Sequence, residues 1–380
     1  MNETPSQAYI SKAHLKGYKS IKDLEIDLKP GLNIIIGPNG SGKTNFLEGL
    51  VSRALRAKFN EKSFTLIEIV DSGKNKYQWT IQIDKVNNDE TNFLEKMSYG
   101  HGEIRKNGKL LKSFDDVNIS YVFLRENLKY DFYKIFNPVK IEFGNSVNLP
   151  LLTSTSKLQI NFEGKNVQGS IWLRPFVKDV FDDFNFSKTL HEFQVNDLVK
   201  ELEIKPNLIE SLNKYTPIEN IRLREPFVFN KNEEGIYVDF LLIEFFVNNS
   251  WFTWNELSDG TKRIFYIISQ VVSWRGTILL EEPELGIHPD QLYKLMDFIK
   301  EQSKEKQIII TTHSPEVLNI LEKNELDHII VTHYDNEKGT QMHHLSPKRI
   351  KKGQLYMKKV GHLSDFWVHS NLEELDDDEN

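Results

Sequence analysis

The chain has 380 residues, of which 39% are hydrophobic and 27% are charged, and its formal net charge is -7. This length allows two domains or one domain with a large insertion, and the overall acidity excludes a general nucleic-acid binder while leaving a local basic face open. The absence of cysteine excludes disulfides, thiolate metal sites and cysteine nucleophiles.

The sequence shows no sign of a membrane segment. Its N-terminus lacks the charged start and apolar block of a secretion signal. The most apolar run, residues 240–247, is interrupted by Glu244 and is far shorter than the ~20 apolar residues of a membrane helix. We therefore expect a cytoplasmic protein that does not enter the membrane.

The first 60 residues predict strands followed by a helix. Residues 8–27 show alternating patterns, and the continuous apolar run 32–36 is typical of a strand buried on both faces. Residues 43–57 place apolar side chains at helical spacing and predict an amphipathic helix.

The next segment is rich in predicted strands. Residues 64–70 and 76–83 flank a polar turn, and Asn107-Gly108 is a strong hairpin signal. Residues 172–215 favour helix, and residues 235–247 predict a strand.

From residue 258 onward, helices and strands alternate, which favours a mostly parallel sheet covered by helices. The predicted helices are 259–273, 289–303 and 315–323, and the predicted strands are 277–281, 307–312 and 328–334.

A glycine-rich turn separates the strand at 32–36 from the helix that starts at residue 43. Gly37–Thr44 fits the pattern G-x-x-x-x-G-K-[ST], which predicts a loop whose backbone amides hold the phosphates of a nucleoside triphosphate. Lys43 is expected to reach the β- and γ-phosphates, and Thr44 to supply a hydroxyl to Mg²⁺. The predicted nucleotide-binding residues are Gly37, Pro38, Asn39, Gly40, Ser41, Gly42, Lys43, Thr44 and Asn45.

Two carboxylates and a histidine follow later strands. Glu281 and Glu282 end an apolar strand, and strand alternation predicts that they point to opposite faces. His313 follows another apolar strand, and if the two strands are neighbours it would face the γ-phosphate. Phosphoryl transfer requires a carboxylate near Mg²⁺ and a group that orients water, and these residues suit both roles.

A third motif precedes the helix at 259–273. Ser258 is a plausible N-cap, and Gly260 would let a phosphate approach the backbone. Capping and nucleotide contact are compatible roles.

Together these motifs resemble the ABC-type ATPases, in the branch that contains RecF, the SMC-like repair ATPases and the OLD-like proteins. Gly37–Thr44 resembles Walker A, Leu257–Gly260 the ABC signature and Ile278–Glu282 Walker B. Glu284–His288 resembles the D-loop, and His313 the switch histidine. The resemblance covers residues 8–57 and 235–345. It implies an α/β P-loop head with a mostly parallel sheet flanked by helices, an antiparallel β subdomain and an inserted mixed α/β segment.

The resemblance also implies roles. Thr44 and Glu281 would bind Mg²⁺, Glu282 would polarise the attacking water, and His313 would sense the γ-phosphate of ATP. In this family the signature serves a second subunit, so Ser258, Asp259 and Gly260 would contact ATP in trans. The implied assembly is a homodimer or a larger even oligomer.

Several positions depart from the family pattern. Glu281 stands where Walker B usually has Asp, and the signature has Asp259 and Thr261 where transporters favour Gly and Gln. Lys19 and Ser20 could lie near the nucleotide or in a solvated turn. The Q-loop glutamine is open among four residues, Gln78, Gln82, Gln159 and Gln168.

These patterns suggest four segments. Residues 1–57 and 236–346 would form the two parts of the ATPase domain, residues 58–235 an inserted β-hairpin and helical region, and residues 347–380 a basic segment with an acidic tail.

The purpose of the ATP remains open among several functions. A RecF-like DNA-repair ATPase would use the basic run 347–359 to follow phosphates, although such a run can equally be a solvated or partner-facing surface. A transporter motor is disfavoured, and a non-hydrolysing ATP-dependent scaffold is the alternative to an enzyme. Resemblance to OLD-like proteins favours bacterial anti-phage defence. Asp335 has no companion acids suited to a nuclease metal site, so a separate effector, such as a nuclease or toxin, would supply that chemistry.

Overall fold

The computed structural model describes residues 8–50, 59–86, 98–118, 139–141, 157–161, 167–168, 204–224, 228–231, 235–239, 243–274 and 276–370. The chain divides into two units by its internal contacts. The first comprises residues 1–142, 275–285 and 299–380, and the second comprises residues 143–274 and 286–298. Each unit is described by itself.

The described elements are numbered here in chain order. The strands are β1 (Tyr9–Tyr18), β2 (Ile21–Asp27), β3 (Leu32–Ile36), β4 (Phe59–Val70), β5 (Lys76–Val86), β6 (Ser98–Lys106), β7 (Lys109–Asn118), β8 (Val139–Ile141), β9 (Lys157–Asn161), β10 (Val167–Gln168), β11 (Ile218–Leu223), β12 (Val228–Lys231), β13 (Gly235–Asp239), β14 (Ile243–Val247), β15 (Ser250–Thr253), β16 (Ile278–Glu281), β17 (Ile308–Thr312), β18 (Ile329–Asp335) and β19 (Gly339–His344). The helices are α1 (Lys43–Leu50), α2 (Pro206–Tyr215), α3 (Asp259–Ser273), α4 (Pro289–Gln302), α5 (Pro347–Lys359) and α6 (Leu363–His369).

The first unit is built on one mixed sheet of 12 strands, in the order β7-β6-β5-β4-β1-β2-β19-β18-β3-β17-β16-β8. Strands β18, β3, β17, β16 and β8 pair in parallel, whereas the pairs from β7 to β18 are antiparallel. The predicted α/β P-loop head is thus confirmed. The sheet is mixed, however, and not mostly parallel as expected, because its antiparallel strands continue the same sheet and seven of the eleven strand pairs are antiparallel.

Strand β3 lies inside the parallel part, between β18 and β17, and all five of its residues are buried. Its neighbours β17 and β18 come from the last quarter of the chain. A strand covered on both faces is expected to be largely apolar, and four of the five residues Leu32–Ile36 are. The exception is Asn33, which is fully buried; its side chain accepts from Lys29 N at 2.9 Å and donates to Lys29 O at 2.8 Å.

Helix α1 follows β3 and contributes to the core of the first unit. Phe46, Leu47 and Leu50 are fully buried among residues of β1 and β2, and each such side chain contributes roughly 1.5–3 kcal/mol through burial. The helix also approaches β1 closely, because a Cβ on Gly49 would lie 2.5 Å from Leu15 Cδ1. Packing therefore fixes α1 relative to the sheet.

A buried amide joins distant parts of this unit. The Gln307 side chain accepts hydrogen bonds from Ile10 N at 2.9 Å and from the Thr277 hydroxyl at 3.0 Å. It donates to Ile10 O at 2.8 Å and to Lys29 O at 2.9 Å. All four hydrogen-bonding positions of the amide are therefore satisfied.

The second unit contains a three-stranded antiparallel sheet, β11-β14-β15, and a four-stranded one, β10-β9-β13-β12. Phe245 on β14 packs against Phe265 on α3, with ring centroids 4.9 Å apart, and Trp254 lies within 5.9 Å of Phe245. This aromatic cluster holds the segment that leads into α3.

Two predicted elements differ from the structure. The strand predicted over 235–247 is two strands in different sheets, β13 and β14; continuous apolar character does not reveal where a chain changes sheets. The helix predicted over 315–323 is a 3-10 helix, Pro315–Ile320, because its bonds span three residues, as in Leu321 N to Leu318 O at 3.1 Å.

The other predicted elements are present wherever they fall on described residues. Asn107 and Gly108 form the turn of the hairpin between β6 and β7, as predicted, and α1 begins at Lys43, as predicted. Residues 51–57 and 172–203 of the predicted helices lie outside the described residues. Within the described part of the chain, no helix is both long and apolar enough to cross a membrane.

Candidate nucleotide-binding site

The loop Gly37–Gly42 connects β3 to α1, and its tip at Pro38, Asn39 and Gly40 is exposed. Gly40 and Gly42 have φ values of 81° and 98°, in the left-handed region that favours glycine. The loop thus turns sharply at the carboxyl end of a parallel strand, which is where ligands bind in such sheets.

Two of the loop glycines are also needed for packing, a reason that the sequence did not reveal. A Cβ on Gly37 would lie 2.1 Å from Thr332 O on β18, and one on Gly42 would lie 1.9 Å from Thr340 Oγ1 on β19. No substituent fits at these distances, so the loop is seated directly on two neighbouring strands.

Lys43 is held inside the loop. Its Nζ donates to Gly37 O at 2.8 Å and to Pro38 O at 3.0 Å, and the residue is only 5% exposed. These carbonyls stabilise the charged ammonium, which is otherwise costly to bury. The arrangement places a positive charge at the N-terminus of α1, where anions are also favoured by the helix dipole.

Thr44 and Glu281 are in direct contact. The Thr44 hydroxyl, at the exposed start of α1, donates to Glu281 Oε1 at the end of β16. A hydroxyl and a carboxylate are hard oxygen ligands of the kind that Mg²⁺ takes together with phosphate oxygens and water. The two predicted metal ligands therefore fit the ion. The described residues contain no cluster of three or more His, Asp or Glu side chains suited to a metal.

Glu282 and His313 also meet, a contact that the sequence analysis did not predict. Strands β16 and β17 are parallel neighbours, and His313 Nδ1 lies 3.2 Å from Glu282 Oε1. Strand alternation, from which Glu281 and Glu282 were predicted to point to opposite faces, does not apply to both residues. Strand β16 ends at Glu281, and Glu282 has a left-handed φ of 43°. A non-glycine residue in this conformation is strained, as is typical of functional positions.

Glu284 carries a buried carboxyl group beside this pair, and the sequence analysis placed it only within the segment that resembles the D-loop. Its Oε1 accepts a hydrogen bond from the Thr312 hydroxyl, and its Oε2 is buried without a hydrogen-bond partner. Burial raises the pKa of Glu284, and the Thr312 hydrogen bond partly opposes that shift. The sequence shows a third glutamate in the run "EEPE", but nothing in it indicates that this glutamate is buried.

The turn between β1 and β2 touches α1. Ser20 Oγ accepts a hydrogen bond from Asn45 Nδ2 at 2.7 Å and lies 2.7 Å from Thr340 Oγ1, while Lys19 pairs with Glu48. Ser20 is therefore part of the support under the loop, and Lys19, which is partly exposed, lies at the side of α1.

The signature segment lies in the second unit. Ser258 caps α3, because its Oγ accepts from Thr261 N at 3.2 Å, while the Asp259 side chain is fully exposed. A Cβ on Gly260 would lie 3.1 Å from Gly286 O. Glycine is thus favoured here by close packing as well as by any contact with phosphate.

The structure also gives the positions of two candidate Q-loop and nuclease residues, Gln78 and Asp335. Gln78 donates to Glu68 at 3.2 Å, which gives it a structural role, and the side chains of Gln159 and Gln168 lie outside the described part. Asp335 accepts from the backbone N–H groups of Glu337 and Lys338 at 2.8 and 2.7 Å, so it closes the β18–β19 turn.

A glycine loop at the end of a central parallel strand, a Walker B strand beside the next strand and a capped signature helix define a P-loop ATPase of the ABC type, in the RecF/SMC-like branch. The chain belongs to the family described as "AAA domain, putative AbiEii toxin, Type IV TA system", whose model matches residues 32–319.

Two similar proteins illustrate a short and an extended match. DNA replication and repair protein RecF of Desulfitobacterium hafniense (strain DSM 10664 / DCB-2) is 54% identical over 37 residues, which is 10% of this chain and 10% of that protein. Septu protein PtuA of Bacillus thuringiensis is 24% identical over 339 residues, 83% of this chain and 74% of that protein. The match to RecF is thus local, whereas the match to PtuA is extended.

Solved SMC heads share the fold. A crystal structure of the SmcHead bound to the C-winged helix domain of ScpA has a TM-score of 0.53 at 16% identity and covers 90% of this chain and 99% of that one. An Smc head with an extended coiled coil, bound to the C-terminal domain of ScpA derived from Pyrococcus furiosus, also has a TM-score of 0.53, at 15% identity over 93% of this chain and 100% of that one.

Proposed function

We propose that the protein binds ATP with Mg²⁺ and hydrolyses it. The Walker A residues 37–45 hold the phosphates, with Lys43 as the cation. Thr44 and Glu281 bind Mg²⁺, which screens the phosphate charge when present. Glu282 polarises the attacking water, and His313 senses the γ-phosphate. The observation that carries this proposal is the pair of contacts Thr44–Glu281 and Glu282–His313, found at the ends of adjacent parallel strands.

The next part of the proposal concerns assembly. Ser258, Asp259 and Gly260 serve ATP bound to a second copy of the chain, so that two subunits close over two nucleotides in a homodimer or a larger even oligomer. The full exposure of the Asp259 side chain, at the start of the 15-residue helix α3, supports an intermolecular role.

We further propose that this cytoplasmic ATPase regulates a separate effector protein, such as a nuclease or toxin, in anti-phage defence. The extended similarity to Septu protein PtuA and the resemblance to OLD-like ATPases support this role. Asp335 is engaged in a turn, which agrees with a nuclease centre being supplied by a partner. We assign residues 1–57 and 236–346 to the ATPase domain, 58–235 to partner or trigger recognition, and 347–380 to a basic segment and acidic tail.

Hydrolysis is tested by comparing the parent protein with Glu282→Gln, using phosphate release at saturating MgATP. The parent is expected to be faster by at least about 100-fold, because the variant cannot accept a proton from water. Lys43→Ala serves as the binding control and should also lose ATP affinity. If the parent releases no more phosphate than Glu282→Gln, a non-hydrolysing scaffold is the correct description.

The dimer is tested with the same slow variant. Glu282→Gln with MgATP should sediment at twice the mass of the nucleotide-free protein, whereas Glu282→Gln combined with Ser258→Arg should remain at the smaller mass. An unchanged mass for Glu282→Gln on adding ATP would refute the sandwich.

A second candidate function, DNA binding, is favoured by helix α5. This helix carries six basic and no acidic residues in a chain with a net charge of -7. Lys351, Lys352, Lys358 and Lys359 are exposed and form no salt bridge with a described residue. Because a Cβ on Gly353 would lie 2.7 Å from Leu326 Cδ2, the opposite face is packed tightly. The lysines thus face outward, where they would suit phosphates.

DNA-stimulated ATP turnover would test this second function. Changing Lys351, Lys352, Lys358 and Lys359 to Glu should abolish the stimulation and leave basal turnover unchanged. A matched variant changes four exposed lysines elsewhere, Lys74, Lys109, Lys294 and Lys304, to Glu. Equal stimulation in both variants would show that α5 does not bind DNA.

A further inference from the structure

Thr312 lies where three motifs of the site meet. Its carbonyl oxygen accepts from the backbone N–H of Gly37, the first residue of Walker A, at 3.4 Å. Its hydroxyl accepts from Ser314 N at 2.9 Å and so closes the turn that contains His313. The same hydroxyl donates to Glu284, three residues after the Walker B glutamate Glu281. One side chain therefore connects the histidine turn to the loop after Walker B.

Glu284 is an unusual partner for this hydroxyl. Its side chain is only 7% exposed, and Oε2 is buried with no hydrogen-bond partner. Buried polar atoms without partners are rare and costly, and they are tolerated mainly where function requires them. A leucine or valine would fill such a position without that cost, so packing alone does not account for a carboxyl group here.

The carboxyl group faces the candidate catalytic pair. Glu284 Oε1 lies 3.9 Å from His313 Nδ1, the same nitrogen that lies 3.2 Å from Glu282 Oε1. Two carboxylates thus converge on one side of a half-exposed imidazole. The more exposed carboxylate belongs to Glu282, whose backbone is strained, whereas the buried one, Glu284, is held by Thr312.

We propose that Glu284, held by the Thr312 hydroxyl, is a positioning residue that orients His313 so that the site distinguishes ATP from ADP. This inference rests on the proposed function, because it assumes that His313 faces the γ-phosphate. Glu284 touches neither the nucleotide nor the reacting water. It limits the imidazole to the rotamer in which Nδ1 faces Glu282, which leaves Nε2 directed away from the carboxylates.

The alternative is that Glu284 and Thr312 only stabilise the loop. The two roles differ in what they predict for nucleotide selectivity. A purely structural bond would change the free energy of unfolding and leave the relative affinities for ADP and ATP unchanged. A positioning role changes that ratio, since only ATP carries the group that His313 would contact.

The experiment uses the full chain and measures Kd for ADP and for the non-hydrolysable analogue AMP-PNP, together with the rate of ATP hydrolysis. The variants are Thr312→Val, Glu284→Gln and the double change Glu284→Leu with Thr312→Val. His313→Ala defines complete loss of the histidine. Thr311→Val is the matched control, because Thr311 is equally buried on the same strand and its hydroxyl has no hydrogen-bond partner.

Thr312→Val and the double variant should lower the preference for AMP-PNP over ADP to the value of His313→Ala, and hydrolysis should fall by about tenfold at saturating ATP. Glu284→Gln keeps the acceptor for Thr312 and should stay within about threefold of the parent. The double variant removes both partners of the bond and is expected to fold even if Thr312→Val does not.

The inference is wrong if Thr312→Val and the double variant keep the parent's preference for AMP-PNP, as Thr311→Val should. Failure of the proposed function looks different. In that case the parent shows no hydrolysis above Glu282→Gln, while the change in nucleotide preference can still be measured.

Discussion

The Thr44 hydroxyl donates a hydrogen bond to the Glu281 carboxylate, and this contact joins the first turn of α1 to the end of β16. The two residues are separated by 237 positions in the chain, and Glu281 stands where related Walker B motifs usually have aspartate. The longer side chain therefore still reaches the threonine that follows the Walker A lysine.

The first prediction concerns Mg²⁺ at this contact. Glu281→Ala removes the only protein carboxylate proposed to bind the ion, so ATP should bind equally well with Mg²⁺ and with EDTA, and hydrolysis should fall by about 100-fold. Titration with a fluorescent ATP analogue in both buffers measures this. Glu316→Ala, at an exposed position, is the control. A variant that keeps the parent's Mg²⁺ dependence would place the ion elsewhere.

The second prediction compares two glycines of the loop. Gly40 and Gly42 both have positive φ, but only a Cβ on Gly42 meets another residue, Thr340. Gly40→Ala should cost about 1–2 kcal/mol, from backbone strain alone. Gly42→Ala adds a clash with β19 and should cost at least about 3 kcal/mol. Urea denaturation without nucleotide gives both values, and equal losses would contradict the tight seating of the loop.

The third prediction separates capping from nucleotide contact at Ser258. Ser258 and Ser346 are both N-cap residues whose Oγ accepts from the backbone N–H three residues later. Each Ser→Ala change should cost about 1 kcal/mol of stability. Only Ser258→Ala should also weaken ATP-dependent dimerisation, measured by analytical ultracentrifugation in the Glu282→Gln background. Equal dimerisation in the two variants would reduce Ser258 to a helix cap.

The fourth prediction follows from the raised pKa of Glu284, which has burial as its main cause. A folded-state pKa above the usual value means that the native protein holds this proton more tightly, so stability falls as pH rises from the unfolded pKa towards the folded one. Glu284→Gln does not titrate. Its free energy of unfolding relative to the parent should therefore increase from about pH 4.5 upward and level off above the raised pKa. A difference that is independent of pH would show that the carboxyl group has an ordinary pKa.

The fifth prediction concerns the buried amide. Gln307→Leu leaves the N–H and C=O of Ile10 and the carbonyl of Lys29 without their partner, and it should cost about 3 kcal/mol or more. Gln354→Leu is the control, because this exposed side chain makes one bond, to Lys323 O at 2.8 Å. It should cost less than about 1 kcal/mol. Chemical denaturation measures both, and similar losses would show that the four bonds of Gln307 have little net value.

Much of this architecture could be predicted because its signals are local. The loop Gly37–Thr44, the N-cap at Ser258 and the hairpin at Asn107-Gly108 each depend on a few neighbouring residues whose conformation is restricted by chemistry. The contact between Glu282 and His313 could be anticipated only in part: each follows a buried strand, but their contact depends on β16 and β17 being neighbours in the sheet.

The rest depends on partners distant in the chain. Glu284 and Thr312 look like ordinary loop and strand residues until their contact is known, and Gln307 shows no pattern that indicates Ile10 as its partner. The change of sheet within 235–247 and the left-handed backbone at Glu282 are set by surrounding structure and not by intrinsic preference. The sequence therefore indicates the local motifs of the candidate site better than the buried groups that pack behind them.

The position of β3 has a consequence for how the molecule is made. This strand ends at residue 36, yet both strands that flank it begin only at residues 308 and 329. While the ribosome is still synthesising the middle of the chain, the nascent strand has two unpaired edges of largely apolar sequence, the kind of surface that recruits chaperones or aggregates. Folding of the phosphate loop must therefore wait for nearly complete translation, so that premature termination would produce a polypeptide with the motif but no site.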